Sequence, residues 1–344
     1  LELFEKILGC IVGCAVGDAF GTASEQMTME QIMKKFGGLI DHFYPPDVDR
    51  PFSCGRRAGQ ITDDTGQTVG IINAYLEDEN GDIIAEAVAR ALLKWADNED
   101  DFKRFAGPTT RKAIEEFRKG TDPIEVGRNL AQEVGIGTSN GCAMKIAPAG
   151  LFNPGNLDAA IRDACMICQP THATTLAMSG ACSVAAAISN ALTPTANPIS
   201  VYKSALYGAE QGLIIGKRIA KVVPGSSIAS RIKLSAMLAL KCDTLEEICM
   251  MISQNIGCGM PVVEAVPAAI GVFVGVNGDP IKSASVCATM GNDTDTVAAI
   301  SCSISGALSG IDSIPDNIYI ELRKANPDIN FEYLANQIFE RIKK

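Results

Sequence analysis

Apolar positions recur three and four residues apart along most of the chain, the spacing that gathers them on one face of an α-helix. In residues 83–95 (IIAEAVARALLKW) they form one stripe, with Glu86, Arg90 and Lys94 on another. The same spacing predicts helices over 123–134, 157–167, 172–192, 229–239, 245–252 and 333–342. Alternating β-branched runs joined by two-residue hairpin turns are nearly absent, so the pattern predicts an all-α protein of many helices. Breaks such as Tyr44-Pro45-Pro46-Asp47 and Asn277-Gly278-Asp279-Pro280 are loop signals rather than long linkers. The longest irregular stretch, 37–60, carries His42, Arg50, Arg56 and Arg57. With no repeat or low-complexity tract, one domain over residues 1–344 is expected.

Composition narrows the class. Hydrophobic residues make up 47% of the 344 and charged residues 20%, which excludes a disordered chain. Lys plus Arg is 30 against 40 for Asp plus Glu, a net charge of −10 that repels phosphate backbones and anionic membranes; a nucleic-acid duplex is therefore not an expected partner. The 12 cysteines are scattered through apolar stretches, as core residues of a reduced compartment are. The single CxxC, Cys165 to Cys168, has only His172 and Cys182 as conceivable further ligands, poor spacing for tetrahedral zinc. The most apolar stretch, 265–276, falls short of the roughly 20 residues a membrane span needs. Leu1 to Lys6 lack a basic leader, so a cytoplasmic protein is expected.

Two segments concentrate acidic and hydroxyl side chains. Gly59-Gln60-Ile61-Thr62-Asp63-Asp64-Thr65 reads first as a helix start, with Thr62 as N-cap and both carboxylates complementing the helix dipole. Val69, Ile72, Tyr75 and Leu76 would then be the buried stripe of that helix. Gly291-Asn292-Asp293-Thr294-Asp295-Thr296 opens another helix, running to about Leu308. Asn292 or Asp293 alone would cap it; capping does not ask for an Asp-Thr-Asp-Thr alternation. Brought together, the two starts supply Asp63, Asp64, Asp293 and Asp295 plus several hydroxyls, without sulfur or imidazole. Hard cations such as Mg²⁺ or Mn²⁺ prefer that donor set. Four converging carboxylates would otherwise repel, and two ions about 3.5–4 Å apart would resolve this.

Two further segments read ambiguously alone. Gly13 and Gly17 have the GxxxG spacing of close helix packing. Glu25 follows Gly21, where a helix would be ending, and either faces a cleft or is solvated. Residues 139–148 (SNGCAMKIAP) admit a ligand close to backbone N–H groups or form an ordinary turn into a helix. His172 reads as structural by itself.

Taken in order, these segments resemble the ADP-ribosylglycohydrolase family, which includes the dinitrogenase reductase-activating glycohydrolases and the lens J1 crystallins. The resemblance runs over nearly the whole chain: GxxxGDAFGxxxE from Gly13 to Glu25, TDDT from Thr62 to Thr65, SNGxAMKIAP from Ser139, the Thr171-His172 step, residues 263–269 and DTDT from Asp293. It implies an all-α, single orthogonal multi-helix domain with a dinuclear Mg²⁺ or Mn²⁺ centre in a cleft. The implied ligands are Thr62, Asp63, Asp64, Asp293, Asp295 and Thr296, and all six are present. It implies Glu25 as acid/base or gate near the ribose carbon. Ser139, Asn140, Gly141, Cys142 and Met144 would line the phosphate and ribose region, with His172 beside the substrate.

The implied reaction is metal-dependent hydrolysis at the anomeric carbon of the distal ribose of an ADP-ribosylated protein or small ADP-ribosyl conjugate, with Asp295 or Glu25 taking the proton from water. Two departures bear on it. Phe105, in Phe105-Ala106-Gly107-Pro108-Thr109-Thr110, stands where arginine-directed members carry an acidic residue. Lys145 stands where arginine is usual and loses a bidentate fork. The alternatives are a hydrolase of nucleosides or other small ribosyl conjugates, and a non-catalytic ADP-ribose-binding or crystallin-like protein.

Overall fold

Beyond Lys6 the first helix, Leu3–Gly21, has apolar or small side chains on every side except at Asp18, and it is buried from Lys6 to Gly21. It is one of eighteen α-helices in the computed structural model, which describes residues 2–49, 52–78 and 83–343. Gly9, Gly13, Gly17 and Gly21 recur every four residues and form a ridge bare of side chains. A Cβ at Gly13 would lie 2.3 Å from the Cys302 carbonyl oxygen, and one at Gly17 2.3 Å from that of Ala298. Only glycine lets the first helix lie backbone-to-backbone on Thr294–Ser309, the helix that the Asp-Thr-Asp-Thr segment opens. The packing role expected of Gly13 and Gly17 is what they perform.

A second pair, one helix buried and one half-exposed, stands beside the first. Thr175–Ala191 packs along Pro198–Ile219, again over glycines, Gly208 and Gly212. Lys6 joins the two pairs: its Nζ donates to the Ala191 and Thr193 carbonyls, each at 2.8 Å, satisfying orphan groups at a helix C-terminus. The buried apolar side chains form one contiguous cluster; all twelve cysteines are free thiols, ten are buried, and nine of those ten belong to the cluster. No helix among the described residues is long and apolar enough to cross a membrane.

The predicted helices form with small shifts at their ends. Residues 157–167 become Leu157–Cys168 and residues 229–239 become Ile228–Ala239. The 123–134 segment stops at Leu130, and the chain then turns through Gly135 and Gly137, both at positive φ. The 172–192 segment starts only at Thr175, because Ala173 and Thr175 exchange backbone hydrogen bonds with Lys221. On Asp63–Glu77 the expected stripe needs correcting: Ile72 and Tyr75 are buried, but Val69 and Leu76 only partly. Asp64, Thr68, Ile71 and Tyr75 form the fully buried line, since the helix buries its acidic start and rotates toward it. Arg50, in the 37–60 stretch, lies outside the described residues.

Candidate active site

Thr62 is the N-cap of Asp63–Glu77, as its sequence predicts, yet its side chain makes no capping bond to that helix. The cap comes from the first helix. Asp18 Oδ1 accepts from the Thr62 N–H at 3.0 Å and from Thr62 Oγ1 at 2.8 Å. Asp18 Oδ2 accepts from the Thr65 N–H at 3.1 Å and from Thr65 Oγ1 at 2.6 Å. A carboxylate at a helix N-terminus satisfies its orphan donors and its dipole together.

Asp293 is the N-cap of Thr294–Ser309, and Asp295 lies in that helix's first turn, directly over Gly21. The chain around Glu25 is tied to the same place. Gln26 N–H donates to the Asn292 carbonyl at 2.8 Å, and Asn292 N–H donates to that of Met27 at 2.9 Å. Gln26 (φ 61°) and Asn292 (φ 64°) both hold left-handed backbone, which costs non-glycine residues energy and is tolerated where surrounding structure imposes it. Ser24 Oγ adds bonds to the Ala288 carbonyl (2.6 Å) and Thr294 Oγ1 (3.2 Å).

The two helix starts meet. Thr296 Oγ1 donates to Asp64 Oδ2 at 3.4 Å, and Thr62 Oγ1, whose hydrogen goes to Asp18, lies 3.3 Å from the same oxygen. Asp18, Asp64 and Asp295 each present an oxygen within 4.8 Å of the others, and all three are buried. Two unit charges at such a distance repel by about 3 kcal/mol even at an effective dielectric constant of 20. Burial first, and then neighbouring carboxylates, pushes Asp63, Asp64 and Asp295 well above the usual carboxylate range. Asp64 Oδ1 is buried with no hydrogen-bond partner, a position that a native fold fills with a cation or proton. The side chains that meet Asp64 here, Thr62, Thr296, Asp18 and Asp295, present oxygen, the donor that hard divalent cations take. The residues fit a metal centre.

Above this floor opens a cavity of about 660 Å³. Of the predicted residues, Glu25, Asp63, Asp64, Ser139, Asn140, Gly141, Met144, Asp293, Asp295 and Thr296 line it. Asn140 Nδ2 donates to Asp293 Oδ2 at 2.7 Å, and its N–H to the Met260 carbonyl at 2.7 Å, so it orients a carboxylate as well as facing the cavity. Three predicted residues stand behind the lining: Thr62, turned to Asp18, with Cys142 and His172. Cys142 turns inward, its Sγ 3.3 Å from the Ser139 carbonyl. His172 is wholly buried and touches the lining through Ser139 Oγ, 2.9 Å from Nε2, while Nδ1 lies 2.8 Å from Thr171 Oγ1. Burial, with the Lys145 charge second, pushes the imidazole well below its ordinary value, so it is neutral. Lys145 is also buried, and its Nζ donates to the Gly141 carbonyl.

The outer wall is mixed. Phe105, Phe52, Pro108 and Met260 line it beside the cationic Lys103, Arg104, Arg111 and Lys112 and one carboxylate, Glu115. The Arg56 guanidinium, paired with Asp101, sits 4.8 Å from the Phe105 ring centroid. Asp18 is the functional-site residue that periodicity and motif spacing left unassigned. Its signal was present: it is the one charged side chain between Ile7 and Gly21.

A sequence model of ADP-ribosylglycohydrolases matches residues 1–344. The chain is 33% identical over 326 residues to the uncharacterized protein YegU of Escherichia coli (strain K12), covering 94% of this chain and 93% of that one. It is 27% identical over 298 residues to the human ADP-ribosylhydrolase ARH3, covering 79% and 77%. A solved structure of an ADP-ribosylglycohydrolase-related protein complex shares the fold, with a TM-score of 0.69 over 99% of both chains at 19% identity. With the family's sequence pattern spanning the chain and a matching all-α architecture beneath it, the protein belongs to the ADP-ribosylglycohydrolase family.

Proposed function

We propose that this protein is a divalent-cation-dependent hydrolase, acting as one domain, that cleaves the bond at the anomeric carbon of the distal ribose of ADP-ribosyl conjugates. The observation that carries the reading is the partnerless Asp64 Oδ1 among convergent oxygen donors on the floor of a cavity of about 660 Å³. Thr62, Asp63, Asp64, Asp293, Asp295 and Thr296 would hold two Mg²⁺ or Mn²⁺ ions. Such ions supply positive charge that fixes vicinal ribose hydroxyls and polarises water.

The chain's own groups do the rest. Ser139, Asn140, Gly141 and Met144 bind the ribose and phosphate side of the substrate. Neutral His172 holds the Ser139 hydroxyl, and Asn140 orients Asp293. Glu25 stands on the cavity wall, close enough for its charge to act on Asp63 and Asp295. It takes the proton from the water that attacks the anomeric carbon, or shares that task with Asp295. The carboxylates stabilise the oxocarbenium-like charge of the transition state. Buried free thiols suit a reducing cytoplasm.

The leaving group is the second question. Phe105, held under Arg56, puts a ring where arginine-directed members carry an acidic residue, and the wall beside it carries Lys103, Arg104, Arg111 and Lys112 against the single carboxylate of Glu115, a balance that repels a guanidinium. That favours neutral leaving groups, whether a serine-linked conjugate or the base of a nucleoside. The test is a panel of ADP-ribosyl-serine, ADP-ribosyl-arginine and nucleosides with Mg²⁺ or Mn²⁺, on the wild type and Asp293→Ala. Release from serine conjugates or nucleosides should exceed release from arginine conjugates and fall to background in the variant or with chelator. ADP-ribose binding without hydrolysis of any conjugate makes the protein a binder instead, and activity surviving both variant and chelator rejects the cation mechanism.

A further inference from the structure

By proximity Asp18 is a candidate cation ligand, since its carboxylate shares the buried cluster with Asp64 and Asp295. Its hydrogen bonds say otherwise. A carboxylate offers about four lone-pair directions. Asp18 spends them on the N–H and hydroxyl of Thr62 (3.0 and 2.8 Å) and on the N–H and hydroxyl of Thr65 (3.1 and 2.6 Å), while Oδ2 also lies 3.0 Å from Thr62 N. Asp64 is the reverse case: Oδ1 has no partner at all. Two carboxylates of one cluster are thus in opposite states, one saturated by protein donors and the other left open.

We propose that Asp18 is a positioning residue, a cap supplied from another helix that fixes the start of Asp63–Glu77 and so aims Asp63 and Asp64, without itself ligating the cation. The geometry gives the cap a second effect. Asp18 neighbours Gly17, whose Cα packs against the Ala298 backbone of the other acidic helix. Asp63 and Asp64 are therefore registered against Asp293 and Asp295 through a single turn of the first helix. The proposal rests on the reading of those four aspartates as cation ligands.

The experiment combines thermal unfolding of the chelated protein with calorimetric Mn²⁺ titration for wild type, Asp18→Asn, Asp64→Asn and Thr65→Val. Asp18→Asn should lower the apo Tm, because the amide brings hydrogen atoms where acceptors are needed. Asp64→Asn should raise it, because it removes a repelling and unsatisfied oxygen. Asp18→Asn should weaken Mn²⁺ by about tenfold with stoichiometry kept, the usual cost of losing a group that orients ligands. Asp64→Asn should lose stoichiometry. Thr65→Val, which removes one donor to Asp18, should lower the apo Tm by about 2 °C and weaken Mn²⁺ by a smaller factor. It carries the test if Asp18→Asn does not fold, and its failure to move either quantity overturns the proposal.

Asp18→Asn that raises the apo Tm and loses an equivalent of Mn²⁺ makes Asp18 a ligand and overturns it. A lower Tm with Mn²⁺ affinity unchanged leaves only a structural cap and also overturns it. Wild-type protein that takes no Mn²⁺ overturns the cation reading itself, and the positioning role with it, independently of what the variants do to the apo fold.

Discussion

His172 has both ring nitrogens engaged by hydroxyls, Ser139 on one side and Thr171 on the other, in a site without exposure. Burial depresses its folded pKa below the unfolded value of about 6.5. The sign follows: its contribution to stability is complete above about pH 6.5 and is lost as pH falls toward the folded value, where the native state must accept a buried charge. Wild-type Tm should therefore fall more steeply than that of His172→Gln between about pH 7 and about pH 5; parallel profiles would contradict this. Legibility at this scale tracks sequence distance. Asp63, Asp64, Asp293 and Asp295 could be read because each pair sits in one local motif. Asp18 could not, because its partners lie 44 and 47 positions away. Nor could the inward turn of Cys142, whose thiol meets that of Cys168 on another helix.

Helices are where the sequence spoke most plainly. Their existence follows from apolar spacing, and their ends move only where tertiary bonds compete, as Lys221 does for the backbone before Thr175. The rotation of the buried stripe on Asp63–Glu77 was hidden because periodicity scores apolar residues, and here the buried line includes Asp64 and Thr68. The glycine ridge gives this scale its prediction. Gly17→Ala puts a Cβ 2.3 Å from the Ala298 carbonyl oxygen, so it should destabilise by about 1–3 kcal/mol and reduce activity by displacing Asp295. Gly70→Ala, with its nearest neighbour at 3.6 Å, should be neutral or stabilise by up to about 1 kcal/mol. Denaturant melts of the two variants check this, and equal losses would mean that the ridge does not set the approach.

For the whole molecule, the acidic floor makes stability depend on what fills it. A cation that binds only the folded chain stabilises it by about 2.7 kcal/mol at a hundred times its Kd. Tm should rise with Mg²⁺ or Mn²⁺ and fall on chelation, whereas a monovalent salt at equal ionic strength should leave most of the difference; equal effects from both salts would point to screening alone. That the two acidic segments meet was not legible from periodicity, which is blind to pairing across the chain. Only the resemblance of ordered motifs implied it.

The bond from Thr296 to Asp64 spans 232 positions. A ribosome must therefore add all 232 of those positions before both acidic segments coexist. Truncated products, whether from stalled translation or from proteolysis ahead of Asp293, would carry one acidic segment without the other.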